Sequence, residues 1–150
     1  MSYITNLYTD PSCHKQINTW AISGDVNVER LAGGRYRYTY ADNGPWSLAN
    51  IQEWLELMRS GRVVVVAYTA TSGLNVEIEN ATPLASDTTP SGATWKAAKT
   101  FAGGNHSIFC RGGGSLTLEA LAVYEGDEWP TVQQLLPRFP WFDGGSMPLQ

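Results

Sequence analysis

This sequence predicts an all-β fold, a two-sheet β-sandwich carrying one short helix. Three observations lead there. Short apolar or alternating runs recur between turn signals. Glycine (15) and proline (8) are plentiful, while charged residues make up only 16% of the chain. The aromatic load is heavy, with six Trp, seven Tyr and four Phe, and aromatic and β-branched side chains suit pleated, half-buried surfaces. At 150 residues and 43% hydrophobic the chain is the size of one ordinary domain and can bury a core without a metal or disulfide staple.

Tyr3 to Tyr8 reads as a first strand, ended by Asp10-Pro11-Ser12. Trp20 to Ser23 and Val26 to Leu31 follow, separated by a Gly24-Asp25 turn. After Gly33-Gly34, Arg35 to Tyr40 alternates strictly. Tyr36, Tyr38 and Tyr40 share one face, and Arg35, Arg37 and Thr39 the other. Asp42 to Pro45 is a turn or loop, with Trp46 at its tip. Asn50 is placed to cap a helix with Glu53 three residues on, as in a capping box. That helix, Asn50 to Arg59, carries an apolar stripe of Ile51, Trp54, Leu55 and Met58, and Gly61 stops it.

Arg62 to Ala70 is the strongest strand, its four valines suiting a position buried on both faces or central in a sheet. Leu74 to Ile78 alternates after a Ser72-Gly73 turn. Residues 80–93 read as a long loop. Trp95 to Phe101, Ser107 to Arg111 and Ser115 to Tyr124 are strands, joined by hairpin turns at Gly103-Gly104-Asn105 and Gly112 to Gly114. Trp20, Trp54 and Trp95 lie in patterned segments and are expected in the core. The tail holds four of the eight prolines and lacks strand rhythm, although Val132, Leu135 and Leu136 could form one helical turn. The expected division is residues 1–128 as the sandwich and 129–150 as a Pro/aromatic tail.

Several function classes find no support. The net charge is −4, with no basic stripe for nucleic acid. The longest apolar run, Val63 to Tyr68, is too short for a bilayer, so membrane insertion is not expected. The start, Met-Ser-Tyr-Ile-Thr-Asn, lacks the charged and apolar stretches of a signal peptide, which points to synthesis and first folding in a cytoplasm. Cys13 and Cys110 have no metal-ligand spacing and are expected to be reduced and structural. His14 and His106 lack ligand-spaced partners, and the common catalytic motifs are absent. Glu77 with Glu79, and Glu125 with Asp127 and Glu128, are the carboxylate groups a glycosidase would need. A solvated strand face and a charged turn explain them more simply, and an enzyme is not expected.

Binding has candidates. Tyr36, Tyr38 and Tyr40 could form an aromatic platform for sugar rings, or could line the core. Trp46, at a turn tip, is a freer candidate. In the tail, Trp129, Phe139, Trp141 and Phe142 need burial, either on the domain's own sheet or in a groove of a neighbouring subunit.

The order of motifs resembles a known family. Asn6-Leu7-Tyr8-Thr9-Asp10-Pro11-Ser12, then Trp20, looks like the N-L-x-x-N-P-S-F-E … W opening of carbohydrate-binding-module-like jelly rolls. Gly34-Arg35-Tyr36-Arg37-Tyr38 resembles the G-x-x-S-L-R strand. Arg62 to Thr69 and Thr94-Trp95-Lys96 resemble two later strands, and Leu118 to Asp127 the closing D-A-L-Q-L-E-E-G. Pro140-Trp141-Phe142-Asp143-Gly144 is similar to the Y-F-D-G that follows this domain in minor tail proteins of tailed phages. The resemblance implies a jelly roll in a virion, serving host-surface adhesion or as a structural appendage. A head (capsid) decoration protein of the same fold and a free-standing bacterial carbohydrate-binding module are the alternatives. Implied partners are other virion proteins, further copies of the chain, and host cell-surface polysaccharide. Cys13-His14 replaces the family's Phe-Glu, and Glu119 its closing Asp, so a structural Ca²⁺ is doubtful and no cofactor is expected. The helix from Asn50 is not part of the family's usual pattern.

Overall fold

A computed structural model describes residues 2–57, 60–142 and 146–149. It is an all-β sandwich. The strands are β1 (Ser2–Thr5), β2 (Asn18–Ala21), β3 (Asn27–Arg30), β4 (Tyr36–Tyr40), β5 (Pro45–Ala49), β6 (Arg62–Ala70), β7 (Asn75–Ile78), β8 (Ala81–Thr88), β9 (Thr94–Thr100), β10 (Ile108–Arg111), β11 (Gly114–Glu125) and β12 (Ser146–Leu149). Helix α1 spans Ile51–Leu57. A 3-10 turn, Gly126–Glu128, leads into α2, Trp129–Leu135.

A six-stranded sheet, ordered β3-β4-β11-β6-β9-β8, packs on a four-stranded sheet, β2-β5-β10-β7, and β1 pairs with β12 in a separate ribbon. The pairing is nested. β4 joins β11, β5 joins β10, and β6 joins β9, all antiparallel. Apart from the β3–β4 and β8–β9 hairpins, successive strands from β2 to β11 alternate between the two sheets, which is the wrapped arrangement of a jelly roll. Gly103-Gly104-Asn105, between β9 and β10, and Gly112 to Gly114, between β10 and β11, are accordingly corners between the two sheets and not the hairpins expected from sequence. Positive φ at Gly112 (99°) and Gly114 (144°) lets the chain turn the second corner.

The core between the sheets holds Tyr38, Tyr40, Trp46, Leu48, Val64, Val66, Ile108, Cys110, Leu116 and Leu121 among others. A second apolar layer covers the opposite face of the six-stranded sheet. There Val63, Val65, Ala67, Trp95, Ala120, Ala122 and Tyr124 meet Ile4, Trp129 and Val132. The valine strand β6 is thus buried on both faces. Strand β11 serves both layers by alternation, and a register shift between Leu118 and Ala120 changes which positions face which layer. Before the bulge at Glu119, Leu116 and Leu118 point into the first core; after it, Leu121 and Val123 do.

Three elements differ from the sequence reading. Residues 80–93 are not one loop: Ala81–Thr88 is β8. Pro83 is tolerated because β8 is an edge strand with a register shift between Pro83 and Ala85. Trp46 does not sit at a turn tip but inside β5, which begins at Pro45, a position where a strand accepts proline. The tail also holds a strand, β12, paired with β1, and its apolar residues at Trp129 and Val132 lie on α2. Helix α1 forms where the capping pair predicts it. Ile51, however, is 54% exposed, and among the described side chains of the helix Leu57 packs on the core. Met58 and the side chains of Trp54 and Leu55 lie outside the described residues.

Candidate functional site

The tyrosine face is core. Tyr38 and Tyr40 are buried and Tyr36 is partly buried against them. The hydroxyl of Tyr38 accepts the Ile17 N–H at 3.1 Å, and burial pushes this phenol up to about 12. Tyr40 donates to the Ser23 carbonyl at 2.7 Å. Trp46 is 0% exposed, tilted 6.0 Å from the Tyr40 ring, with its indole N–H donated to the Gly112 carbonyl. Tyr38, Tyr40 and Trp46 therefore offer a ligand no free ring, which corrects their candidacy as a platform.

The tail residues are also accounted for within the chain. Trp129 is buried, and Trp141 and Phe142 pack on the second apolar layer. The Tyr124 hydroxyl, buried in the sheet, donates to the Pro140 carbonyl at 2.8 Å, and its ring lies 6.2 Å from Phe142. Of the four attachment candidates, Phe139 alone is classed as exposed, at 42%, edge-on to Trp141.

The exposed aromatic surface lies elsewhere. Trp20, expected in the core, is 57% exposed on β2. Register explains this. Trp20 stands opposite Ser47, Ser47 opposite Phe109, and Phe109 opposite Glu77, in one row across the four-stranded sheet. The adjacent row, Ala21, Trp46, Cys110 and Val76, points the other way into the core. Because side chains alternate across a strand, burying Trp46 and Cys110 sends Trp20 and Phe109 outward.

Above that outer face lies a groove of about 660 Å³, within the roughly 300–1,000 Å³ usual for small-ligand sites. Trp20, Phe109, Ala49 and Ile51 give it an apolar floor, and Asn18, Ser47, Asn105 and Ser107 add polar groups. The Arg111 guanidinium lies 5.2 Å from the Phe109 ring centre, close enough for a cation–π contact.

One rim is built by the β9–β10 corner. Gly104, at φ 73°, comes against Asn80 where a Cβ would collide with the Asn80 amide. Asn80 donates to the Asn105 carbonyl at 2.6 Å. His106 Nδ1 lies 3.3 Å from the Glu79 carbonyl and 3.1 Å from that of Asn80. Both are acceptors, so Nδ1 carries the proton. The Ser107 hydroxyl donates to Glu79 Oε1 at 3.1 Å. These bonds preset the rim before any ligand arrives.

No group of three or more His, Cys, Asp or Glu side chains suited to a metal occurs among the described residues. In the Asp10-Pro11-Ser12 segment the Asp10 carboxylate accepts the N–H groups of His14 and Lys15, at 3.1 and 2.8 Å, and Arg35 donates to the Ser12 carbonyl. Cys13 and Cys110 are unpaired and buried. Burial raises both thiols, Cys110 to about 12, so neither is a ready nucleophile.

No family model matches this sequence, no curated protein is significantly similar to it, and no solved structure significantly matches the fold. No helix among the described residues is long and apolar enough to cross a membrane.

Proposed function

We propose that this chain is a non-enzymatic adhesion domain that holds a glycan across the outer face of its four-stranded sheet, and that it works as a minor tail component of a phage virion. One observation carries the glycan reading: exposed Trp20 and half-buried Phe109 share a groove floor with Ser47 between them, beneath a prearranged polar rim. A sugar ring has apolar C–H faces and a polar circumference. It gains most from an aromatic face below and amide, hydroxyl or carboxylate groups alongside, and this groove offers both.

Cleavage is disfavoured by the same lining. Glycoside hydrolysis ordinarily uses two carboxylates flanking the bond, and among the described residues Glu79 is the sole Asp or Glu lining this groove. Glu77, on the row beside Phe109, is engaged with Arg111, Oε1 to Nε at 3.8 Å. The virion setting rests on the order of sequence motifs from Asn6 to Gly144. Mass spectrometry of purified tails, heads and culture supernatant separates it from a head decoration protein or a free carbohydrate-binding module. The glycan reading is tested by retention on host-envelope polysaccharide. Wild type should be retained and Trp20→Ala should not. Equal retention of the two would remove the groove from the account.

A further inference from the structure

A small pocket opens beside the tail's cover of the six-stranded sheet. It measures about 250 Å³ and shares no lining residue with the aromatic groove. Ser12, Arg35, Glu119, Trp141 and Phe142, all half-buried, are among its walls.

Two opposite charges meet there. In β11, Leu118 before the bulge and Leu121 after it both enter the core between the sheets. Glu119 and Ala120 are left together on the outer side, so the extra residue brings a carboxylate to the pocket. The register that sets Arg37 opposite Thr117 carries Arg35, two residues earlier, toward Glu119. The two charges are nevertheless not joined. Among the described residues neither side chain belongs to an ion pair, and the Glu119 carboxylate accepts no hydrogen bond.

The walls are set in advance. Arg35 uses Nε on the Ser12 carbonyl at 3.3 Å, which leaves its terminal N–H groups to donate elsewhere. The Pro11 carbonyl accepts the Leu121 N–H at 3.0 Å and ties the turn to β11. The bond from the Tyr124 hydroxyl to the Pro140 carbonyl holds the chain just before Trp141.

A guanidinium held in this way can take a carboxylate through two parallel hydrogen bonds. A carboxylate near aromatic rings suits an ammonium, which is drawn both to the opposite charge and to a ring face. From this arrangement we infer that the pocket binds a free α-amino acid, its carboxylate on Arg35, its ammonium on Glu119 and its side chain against Trp141 and Phe142. An α-amino acid carries both charges on one carbon, as this pocket carries both on neighbouring side chains. The volume lies just under the roughly 300–1,000 Å³ usual for small-ligand sites, room for one such molecule and not for a polymer. The site is independent of the glycan groove.

The test titrates the full ¹⁵N-labelled chain with L-alanine and with L-leucine, following the Trp141 indole N–H, assigned from Trp141→Phe. At least one of the two should move that signal to saturation. Its amide, which lacks the carboxylate, and its N-acetyl derivative, which lacks the ammonium, should each bind about tenfold or more weakly, the scale of one charged hydrogen bond. The amide thereby probes Arg35 without disturbing its bond to Ser12. Glu119→Gln keeps the side chain's shape and should keep the wild-type melting temperature while losing amino-acid affinity by a similar factor. Trp20→Ala should bind the amino acid as wild type does. A Trp141 signal that neither amino acid moves, a blocked derivative as tight as its parent, or full affinity in Glu119→Gln overturns the inference and leaves the glycan reading untouched. Loss of amino-acid binding in Trp20→Ala would also overturn it, by moving the site to the groove.

Discussion

The two sheets share one core but treat their outer faces in opposite ways. The six-stranded sheet is covered on its far side by the chain's own ends, through Ile4, Trp129, Val132, Trp141 and Phe142. The four-stranded sheet leaves Trp20 and Phe109 over a groove. The aromatic-rich tail therefore builds structure, whereas a less conspicuous Trp in a short edge strand stands at the candidate site. An aromatic side chain does not declare its role by type. Whether another part of the chain covers it decides between packing and recognition.

That contrast is broken most severely from the covered side. Trp129→Ala removes a buried indole from the second apolar layer and should cost about 3–5 kcal/mol, the usual range for Trp or Phe truncation in a core. Chemical denaturation measures it; an unchanged midpoint would mean the tail is dispensable. Tyr124→Phe keeps the ring against Phe142 but leaves the Pro140 carbonyl without its donor. The expected loss is about 1–3 kcal/mol, the cost of an unsatisfied buried group.

Glu128 gives a smaller, pH-dependent effect. Burial raises its carboxyl above the ordinary 4.5, and the neighbouring Asp127 and Glu125 push the same way, while the Thr5 N–H opposes them. One of its oxygens, Oε2, is buried with no hydrogen-bond partner among the described residues. A raised folded-state pKa means that the native chain binds more protons than the unfolded chain across the window above 4.5. Stability then falls as pH rises through that window and is recovered on acidification. Glu128→Gln should melt slightly higher than wild type at neutral pH, and the gap should close as pH falls through the window. A gap that is constant with pH would separate Glu128 from this effect.

Smallest of all on stability is Trp20→Ala. Its ring is mostly in solvent, so the melting curve should stay within the roughly 0.5 kcal/mol typical of surface changes. A large loss would mean that Trp20 is a packing residue after all.

Much of the fold was readable in the residues. The alternation of Arg35 to Tyr40, the valine run of β6 and the capped start of α1 all lie where their local chemistry puts them, whereas the glycine clusters mark turns without telling a hairpin from a corner between sheets. What could not be read was which of two alternating sets faces inward when both contain apolar residues. In β2 the pattern allows Trp20 in or out. In β5, Pro45 and the preceding Asn43-Gly44 hide a strand whose Trp46 faces in. Pro83 hid β8 in the same way. The groove is still less visible. Trp20, Ser47, Phe109 and Asn105 are far apart in sequence and meet only because β5 pairs with both β2 and β10.

The central claim is that the open face of the four-stranded sheet recognises the glycan and the tail-covered face does not. The six tryptophans allow it to be read directly from indole N–H signals in a ¹⁵N-labelled sample. The Trp20 and Trp129 signals are assigned from the spectra of Trp20→Phe and Trp129→Phe. On titration with oligosaccharide fragments of the host envelope, the Trp20 indole should shift with ligand concentration while the signal of Trp129 stays in place. A Trp20 signal that does not move, with shifts concentrated at Trp129, would contradict the account and put recognition on the covered face.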